Sequence, residues 1–324
     1  MGVEWIAGLA AAGLLAAALG VAGYFVLLTR SIAAEAERHA PPAGAFLDID
    51  GQRIHYVEKG EGRPILFIHG LGAQLHHFVG PLFGAFGDGW RLVAIDRPGS
   101  GYSTRASRSD GRLAGQALAV RHVIEALGLS RPLVVGHSLG GAVALKLALD
   151  HPDAISGLAL ISPHTDNTGG VPPEFSALNI RSRLKRRLLA ETVAVPRARK
   201  DAAAVLSYVF GPQQPGADYM VAGGGWLGLR PSHVYASATD AVALDADRET
   251  LHGRFGEISM PVGILFGTAD RVLDYQKHGV EMVGRIADLD LELLDGVGHL
   301  PQFVEPERTA AFIERIAARA FASR

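Results

Sequence analysis

The chain has 324 residues, 48% of them hydrophobic, with 31 basic residues against 33 acidic ones. That is enough apolar chain for one large core with a smaller accessory unit, and the near-neutral balance gives no general reason to expect a nucleic-acid partner. Cysteine is absent, which excludes disulfides and a thiol nucleophile.

From Trp5 to Leu28, 24 consecutive residues carry no charge. At 1.5 Å per residue this run can cross a hydrocarbon core of roughly 30 Å. Residues 1–30 are therefore expected to be a single-pass transmembrane anchor that contacts the membrane through residues 5–28. A cleaved signal peptide is the rival reading, because Ala34-Glu35-Ala36 has the small-x-small form of a cleavage site. Glu4 in place of a positive n-region, and the length of the apolar run, favour the uncleaved anchor. Arg30 and Arg38 follow the span, so the positive-inside rule puts the rest of the chain on the cytoplasmic side, whereas cleavage would export it.

Residues 31–44, with Pro41-Pro42, read as a linker. Phe46 to Val57 has the alternation and the Asp50-Gly51 turn of a β-hairpin. Pro64 to Ile68 and Arg91 to Ile95 are continuous apolar runs, as expected of parallel strands covered on both faces. Leu113 to Leu127 is helical by the spacing of Leu113, Ala117, Val120, Ile124 and Leu127. Pro132 to Val135, Ile155 to Ser162, Pro261 to Gly267 and Leu289 to Leu294 read as further strands, giving an α/β three-layer sandwich. Residues 164–257 break this rhythm and are expected to form a mostly helical lid. The core is thus split into 45–163 and 258–324.

Gly136-His137-Ser138-Leu139-Gly140 lies directly between the Pro132 strand and the apolar helix Gly141 to Ala148. A strand, a sharp turn and a helix meeting at one serine form a nucleophile elbow, with glycine two residues away on each side because the turn has no room for side chains there. A serine hydroxyl needs a base and an orienting carboxylate. Asp270 follows the Pro261 strand, and His299 sits in the glycine-rich loop Asp295 to His299 after the last strand, which frees it to swing toward Ser138. Asp274 and Asp166 are the competing acids. His69 and His137 flank the site and read as packing residues rather than as a second base.

On four segments the chain from about Ala45 onward resembles the α/β-hydrolase superfamily, in its serine esterase and lipase branch. These are His69-Gly70-Leu71-Gly72, Asp96 to Ser103, the Ser138 elbow, and the loops Gly267 to Asp270 and Gly296 to Glu305. Each falls at a strand's carboxyl end, where open α/β sheets bind ligands. The resemblance implies a mostly parallel eight-stranded sheet, the lid inserted after the sixth strand, and the chain order serine, aspartate, histidine. It also implies an oxyanion hole from the amides of Leu71 and Leu139, the latter at a helix N-terminus. Relatives that open epoxides or remove halides typically carry aspartate at the elbow, so Ser138 favours acyl transfer.

The expected activity is hydrolysis of a carboxylic ester, one with a lipophilic acyl group, through an acyl-enzyme on Ser138. A carbon–carbon bond hydrolase, a cofactor-free perhydrolase and a triad-retaining small-molecule receptor are the alternatives. Phe175, Leu178, Phe210 and Trp226 are expected to line the substrate pocket, with Leu206, Tyr208, Val209 and Leu227 as further candidates. No cofactor or metal is expected: His76 and His77 are adjacent rather than spaced as helix-borne ligands, and no Gly-Lys-Ser/Thr phosphate loop is present. Gly223-Gly224-Gly225 reads as a hinge in a surface segment. Arg181 to Lys200 holds eight basic residues and one acidic residue, either as a solvated helix face or as a stretch drawn to an anionic membrane surface.

Overall fold

The computed structural model describes residues 2–106, 111–165, 173–247, 251 and 253–322. In chain order its elements are α1 (Gly2–His39), β1 (Ala45–Ile49), β2 (Gln52–Lys59), β3 (Arg63–Ile68), α2 (His76–Val79), β4 (Trp90–Ile95), α3 (Leu113–Ala126), β5 (Leu133–His137), α4 (Leu139–Asp150) and β6 (Gly157–Ile161). Then follow α5 (Arg183–Glu191), α6 (Ala194–Phe210), α7 (Tyr219–Ala222), α8 (Pro231–Ala246), β7 (Val262–Gly267), α9 (Tyr275–His278), β8 (Leu289–Leu294), α10 (Pro301–Val304) and α11 (Pro306–Ala322).

The eight strands form one sheet in the order β1-β2-β4-β3-β5-β6-β7-β8, antiparallel at the β1-β2-β4 end and parallel from β4 to β8. Period-two alternation divides each central strand between two cores. Leu66, Ile68, Val93, Ile95 and Val134 pack with α3 and α4, while Ile65, Phe67, Ala94, Leu133 and Val135 pack with Phe312, Ile313 and Ile316 of α11. Register aligns the strands' carboxyl ends: Ile68 lies beside Gly136, His137 beside Ile161, and Ile161 beside Leu265. The loops after β3, β5, β6 and β7 therefore leave the sheet at one edge, as the parallel topology demands.

α1 runs through His39, so residues 31–39 of the expected linker are helix and only the stretch before β1 at Ala45 is not. Ser31 to His39 contains neither glycine nor proline and is rich in alanine and glutamate, so nothing in the sequence stops the helix before Pro41-Pro42. Residues 29–40 are also held from outside. The Thr29 hydroxyl donates to the Thr192 carbonyl, and Ile32 and Ala36 are buried with Val195 and Leu229. Glu35 pairs with Arg199 at 2.7 Å and Glu37 with Arg230 at 2.8 Å. Toward the N-terminus the large apolar side chains Trp5, Ile6, Leu9, Leu14, Leu15 and Leu19 are exposed. The helix is long and apolar enough to cross a membrane.

Between β6 and β7 the described residues are helical, with α5, α6, α7 and α8 standing over the carboxyl edge of the sheet. Gly223 and Gly224 are not a surface hinge. Both are buried, the Gly223 carbonyl accepts from Gln74 Nε2 at 2.7 Å, and Gly224 has φ +68°, where a side chain would also strike Gln74. Glycine here serves close packing of lid on core.

Candidate active site

Ser138 is the single residue between β5 and α4, with φ +52° and ψ −119°. A non-glycine residue in that region costs on the order of 1–3 kcal/mol and persists only where its surroundings fix it. Here they do. Its N–H donates to the Ile161 carbonyl at 3.0 Å, and its own carbonyl accepts from Gly141 at 2.9 Å and His164 at 3.0 Å. The flanking glycines are steric necessities: a Cβ at Gly136 would stand 2.6 Å from the Gly140 carbonyl oxygen, and one at Gly140 2.1 Å from that of Ile68.

β7 delivers Asp270 and the loop after β8 delivers His299. Asp270 Oδ1 accepts from the N–H groups of Val272 at 2.7 Å and Leu273 at 3.0 Å, while Oδ2 accepts from His299 Nδ1 at 2.7 Å. With Nδ1 bonded to the carboxylate, Nε2 is the ring nitrogen left to accept a proton. His299 and Ser138 line the same cavity, together with Leu71 and Leu139. The competing Asp274 is committed elsewhere, its carboxylate capping α9 through Gln276 N–H at 2.9 Å. Asp166 lies outside the described residues.

The glycine-rich loop is braced rather than loose. Gln213 of the lid donates to the Gly296 carbonyl at 2.8 Å and accepts from Gly298 N–H at 3.0 Å, and His137 Nε2 donates to the His299 carbonyl at 3.0 Å. His137 thus acts by holding the backbone of His299, consistent with a packing role. His69 does similar work. Its Nδ1 donates to the Gly70 carbonyl at 2.8 Å and its Nε2 accepts from Arg97 N–H at 2.9 Å.

Two further residues were not singled out by the sequence. The wholly buried Arg97 guanidinium donates to the carbonyls of His69 and Gly70, each at 2.9 Å, and to Asp240 of α8 at 2.7 Å. It fixes the peptide planes just before Leu71, and Asp240 ties that clamp to the lid. Arg97 lies inside the Asp96 to Ser103 motif, but nothing local marks its partner, 143 positions away.

Burial holds several imidazoles neutral. It depresses His69 and His137 well below the usual histidine range, the nearby Arg97 charge adding to the effect at His69, and it pushes His77 down to about 3. The unfolded chain binds these protons more readily, so stability is full above pH 6.5 and falls as pH drops toward 3. Each such group contributes a slope of up to about 1.4 kcal/mol per pH unit. We expect His77→Gln, which can still bond the Tyr219 hydroxyl that His77 Nε2 meets at 2.9 Å, to flatten the acid limb of the stability profile by about one proton. Denaturant midpoints across that range check it, and an unchanged slope would contradict it.

The cavity holds about 450 Å³, within the range of small-molecule sites, and is lined largely by apolar side chains of α5, α6, α8 and the segment before α5. Phe175 and Leu178 line it, as do Leu206 and Val209. Phe210 and Trp226 do not, contrary to expectation. Phe210 packs edge-on to Tyr219 and tilted against Phe303 in the seam between lid and core, and Trp226 stacks on His39 of α1 at 4.6 Å. Tyr208 points its hydroxyl at the Arg271 carbonyl, and Leu227 is buried away from the cavity. Among the described residues no group of histidine, aspartate and glutamate is arranged to hold a metal ion.

Similarity to known proteins identifies the fold family. The chain is 40% identical over 133 residues to the dihydrolipoyllysine-residue acetyltransferase component of the acetoin cleaving system of Cupriavidus necator, a match covering 39% of this chain and only 34% of that protein. It is 27% identical to 2-hydroxy-6-oxo-6-phenylhexa-2,4-dienoate hydrolase of Comamonas testosteroni over 79% of this chain and 88% of the relative. Its fold is similar to the crystal structure of a membrane phospholipase A described as a novel bacterial virulence factor, with a TM-score of 0.66, 27% identity and 98% of both chains covered. Residues 63–306, from the start of β3 to the start of α11, match the alpha/beta hydrolase fold family, to which this chain belongs.

Proposed function

We propose that the protein is a membrane-anchored serine hydrolase that cleaves a carboxylic ester with a lipophilic acyl group. The observation that carries this reading is the bond from His299 Nδ1 to Asp270, beside a strained Ser138 elbow that opens on an apolar cavity. Ser138 Oγ attacks the ester carbonyl while His299 Nε2 takes its proton. The amides of Leu71 and Leu139 receive the oxyanion, with Arg97 keeping the Leu71 loop in place. His299 then protonates the leaving alcohol, and a water deprotonated by His299 releases the acid. Asp270 fixes the imidazole tautomer and stabilises the imidazolium. Phe175 and Leu178 offer apolar contact for the acyl chain.

The anchor part of the reading rests on α1. Cleavage after Ala36 would remove Thr29, Ile32, Glu35 and Ala36, all of which contact the lid, so their docking supports an uncleaved helix. Arg30 and Arg38 support a cytoplasmic catalytic body.

Initial rates in detergent on p-nitrophenyl esters from acetate to palmitate test the substrate class. We expect turnover with a medium- or long-chain optimum; a clear preference for acetate would defeat the lipophilic assignment. The similarity to a dienoate hydrolase favours carbon–carbon cleavage as the second reading. Activity on a vinylogous diketone without activity on any ester would establish it. Peracid formation from acetate and peroxide would mark a perhydrolase, and tight binding without multiple turnover a receptor.

A further inference from the structure

The lid helix α5 has two faces that do different work. Inward, Arg186 is buried and donates to the Ile180 carbonyl at 2.9 Å, and Arg186, Leu189 and Ala190 border the cavity. Outward, Leu184 is 79% exposed and Leu188 60% exposed. At 100° per residue these two leucines share one stripe, with Arg183 and Arg187 along one side and Lys185 along the other. All three basic residues are exposed, and among the described residues none is paired with a carboxylate. Apolar side chains bordered by cations make up the surface of a helix lying in a membrane interface.

The depth of this face is set by α1. Thr29 is the first polar residue after the uncharged run Trp5 to Leu28, apart from Tyr24, and its hydroxyl bonds the carbonyl of Thr192, the residue that follows α5. Ile32, one turn further, packs with Val195. The C-terminal end of α5 is thereby pinned level with the point where the hydrophobic span ends.

On the reading that α1 spans the bilayer, we propose that the Leu184–Leu188 face of α5, with Arg183, Lys185 and Arg187, docks on an anionic lipid surface at the foot of the anchor. The cations meet lipid phosphates while the leucines enter the acyl boundary. Docking seats the α5 wall of the cavity that contains Ser138 against lipid. Each basic side chain at such a surface strengthens association by about fivefold, so three of them distinguish anionic from zwitterionic lipid clearly.

Because the chain has no cysteine, single thiols introduced by Leu188→Cys, Leu14→Cys and Val283→Cys can each carry one environment-sensitive fluorophore. The labelled full-length proteins are reconstituted in phosphatidylcholine vesicles with and without phosphatidylglycerol, and nitroxide-bearing lipids report contact with acyl chains. We expect quenching at Leu14 in both vesicles, none at the exposed Val283, and quenching at Leu188 that rises strongly with phosphatidylglycerol. Combining Arg183→Glu, Lys185→Glu and Arg187→Glu with the Leu188 label should lower the docked fraction by about an order of magnitude or more. Quenching at Leu14 with none at Leu188 overturns the docking and leaves the anchor standing. No quenching at Leu14 overturns the anchor and the docking with it. Quenching at Leu188 that ignores both lipid charge and the charge reversals overturns the anionic preference. A Leu188 probe shielded from water yet untouched by lipid nitroxides means that another protein surface, such as a second copy, covers this face. None of these readouts depends on hydrolysis, so failure of the ester assignment would leave them unchanged.

Discussion

Ser138→Ala is expected to lower kcat by up to about a million-fold while leaving the fold and its thermal midpoint essentially intact. The substitution removes only Oγ. The Cβ stays in place, so the strain at φ +52° is unchanged, and the backbone bonds to Ile161, Gly141 and His164 persist. What goes is the atom proposed to form the acyl-enzyme. Ser138→Gly makes a useful companion. It should be equally inactive, yet more stable by about 1 kcal/mol or more, because glycine adopts this backbone conformation without steric cost. Steady-state rates on the best ester, together with labelling by a fluorophosphonate, give the readout: wild type should react covalently and neither variant should. A Ser138→Ala enzyme retaining activity within about a hundredfold of wild type would remove the serine from the mechanism.

The parts of this molecule legible in the sequence are those whose cause is local. β3, β4 and β5 are continuous apolar runs because both their faces are covered, and the Ser138 elbow announces itself because two glycines must stand where no Cβ fits. Asp270 and His299 each end a strand-and-loop pattern, so they too could be found without knowing the fold. The misplaced aromatics show the limit. Phe210 and Trp226 are apolar residues in a lid, which suggests packing but not against what. One faces the core through Tyr219 and Phe303, the other the anchor through His39. Gln213, Arg97 and Asp240 were missed for the complementary reason. Each is a single polar residue whose partner lies far along the chain, and only the assembled sheet and the lid above it bring the pairs within hydrogen-bond distance. The break of α1 was expected too early because the charges from Arg30 onward look like the end of an apolar helix. They are in fact the polar flank of a helix whose remaining face is buried on the lid.

Asp270→Asn is expected to cost about 10⁴-fold in kcat with little loss of stability, and the hydrogen bonds of Asp270 dictate why. Oδ1 accepts two backbone N–H groups, from Val272 and Leu273, so in the variant that position must be filled by the asparagine carbonyl oxygen. The amide nitrogen is then forced into the place of Oδ2, facing His299 Nδ1 across what was a 2.7 Å bond. Two N–H groups cannot bond each other, so the ring adopts the tautomer with its proton on Nε2 and accepts the asparagine donor at Nδ1. A histidine protonated on Nε2 cannot take the proton of Ser138, although every atom of the site remains in place. Asp274→Asn supplies the control, since its carboxylate caps α9 through Gln276 and asparagine caps as well as aspartate; its kcat should stay within a few-fold of wild type. Rates of the two variants on one ester, with thermal midpoints measured alongside, separate the roles. A large loss with Asp274→Asn and a small one with Asp270→Asn would transfer the orienting role away from the carboxylate that now touches His299, and would require His299 to turn before it could serve Ser138.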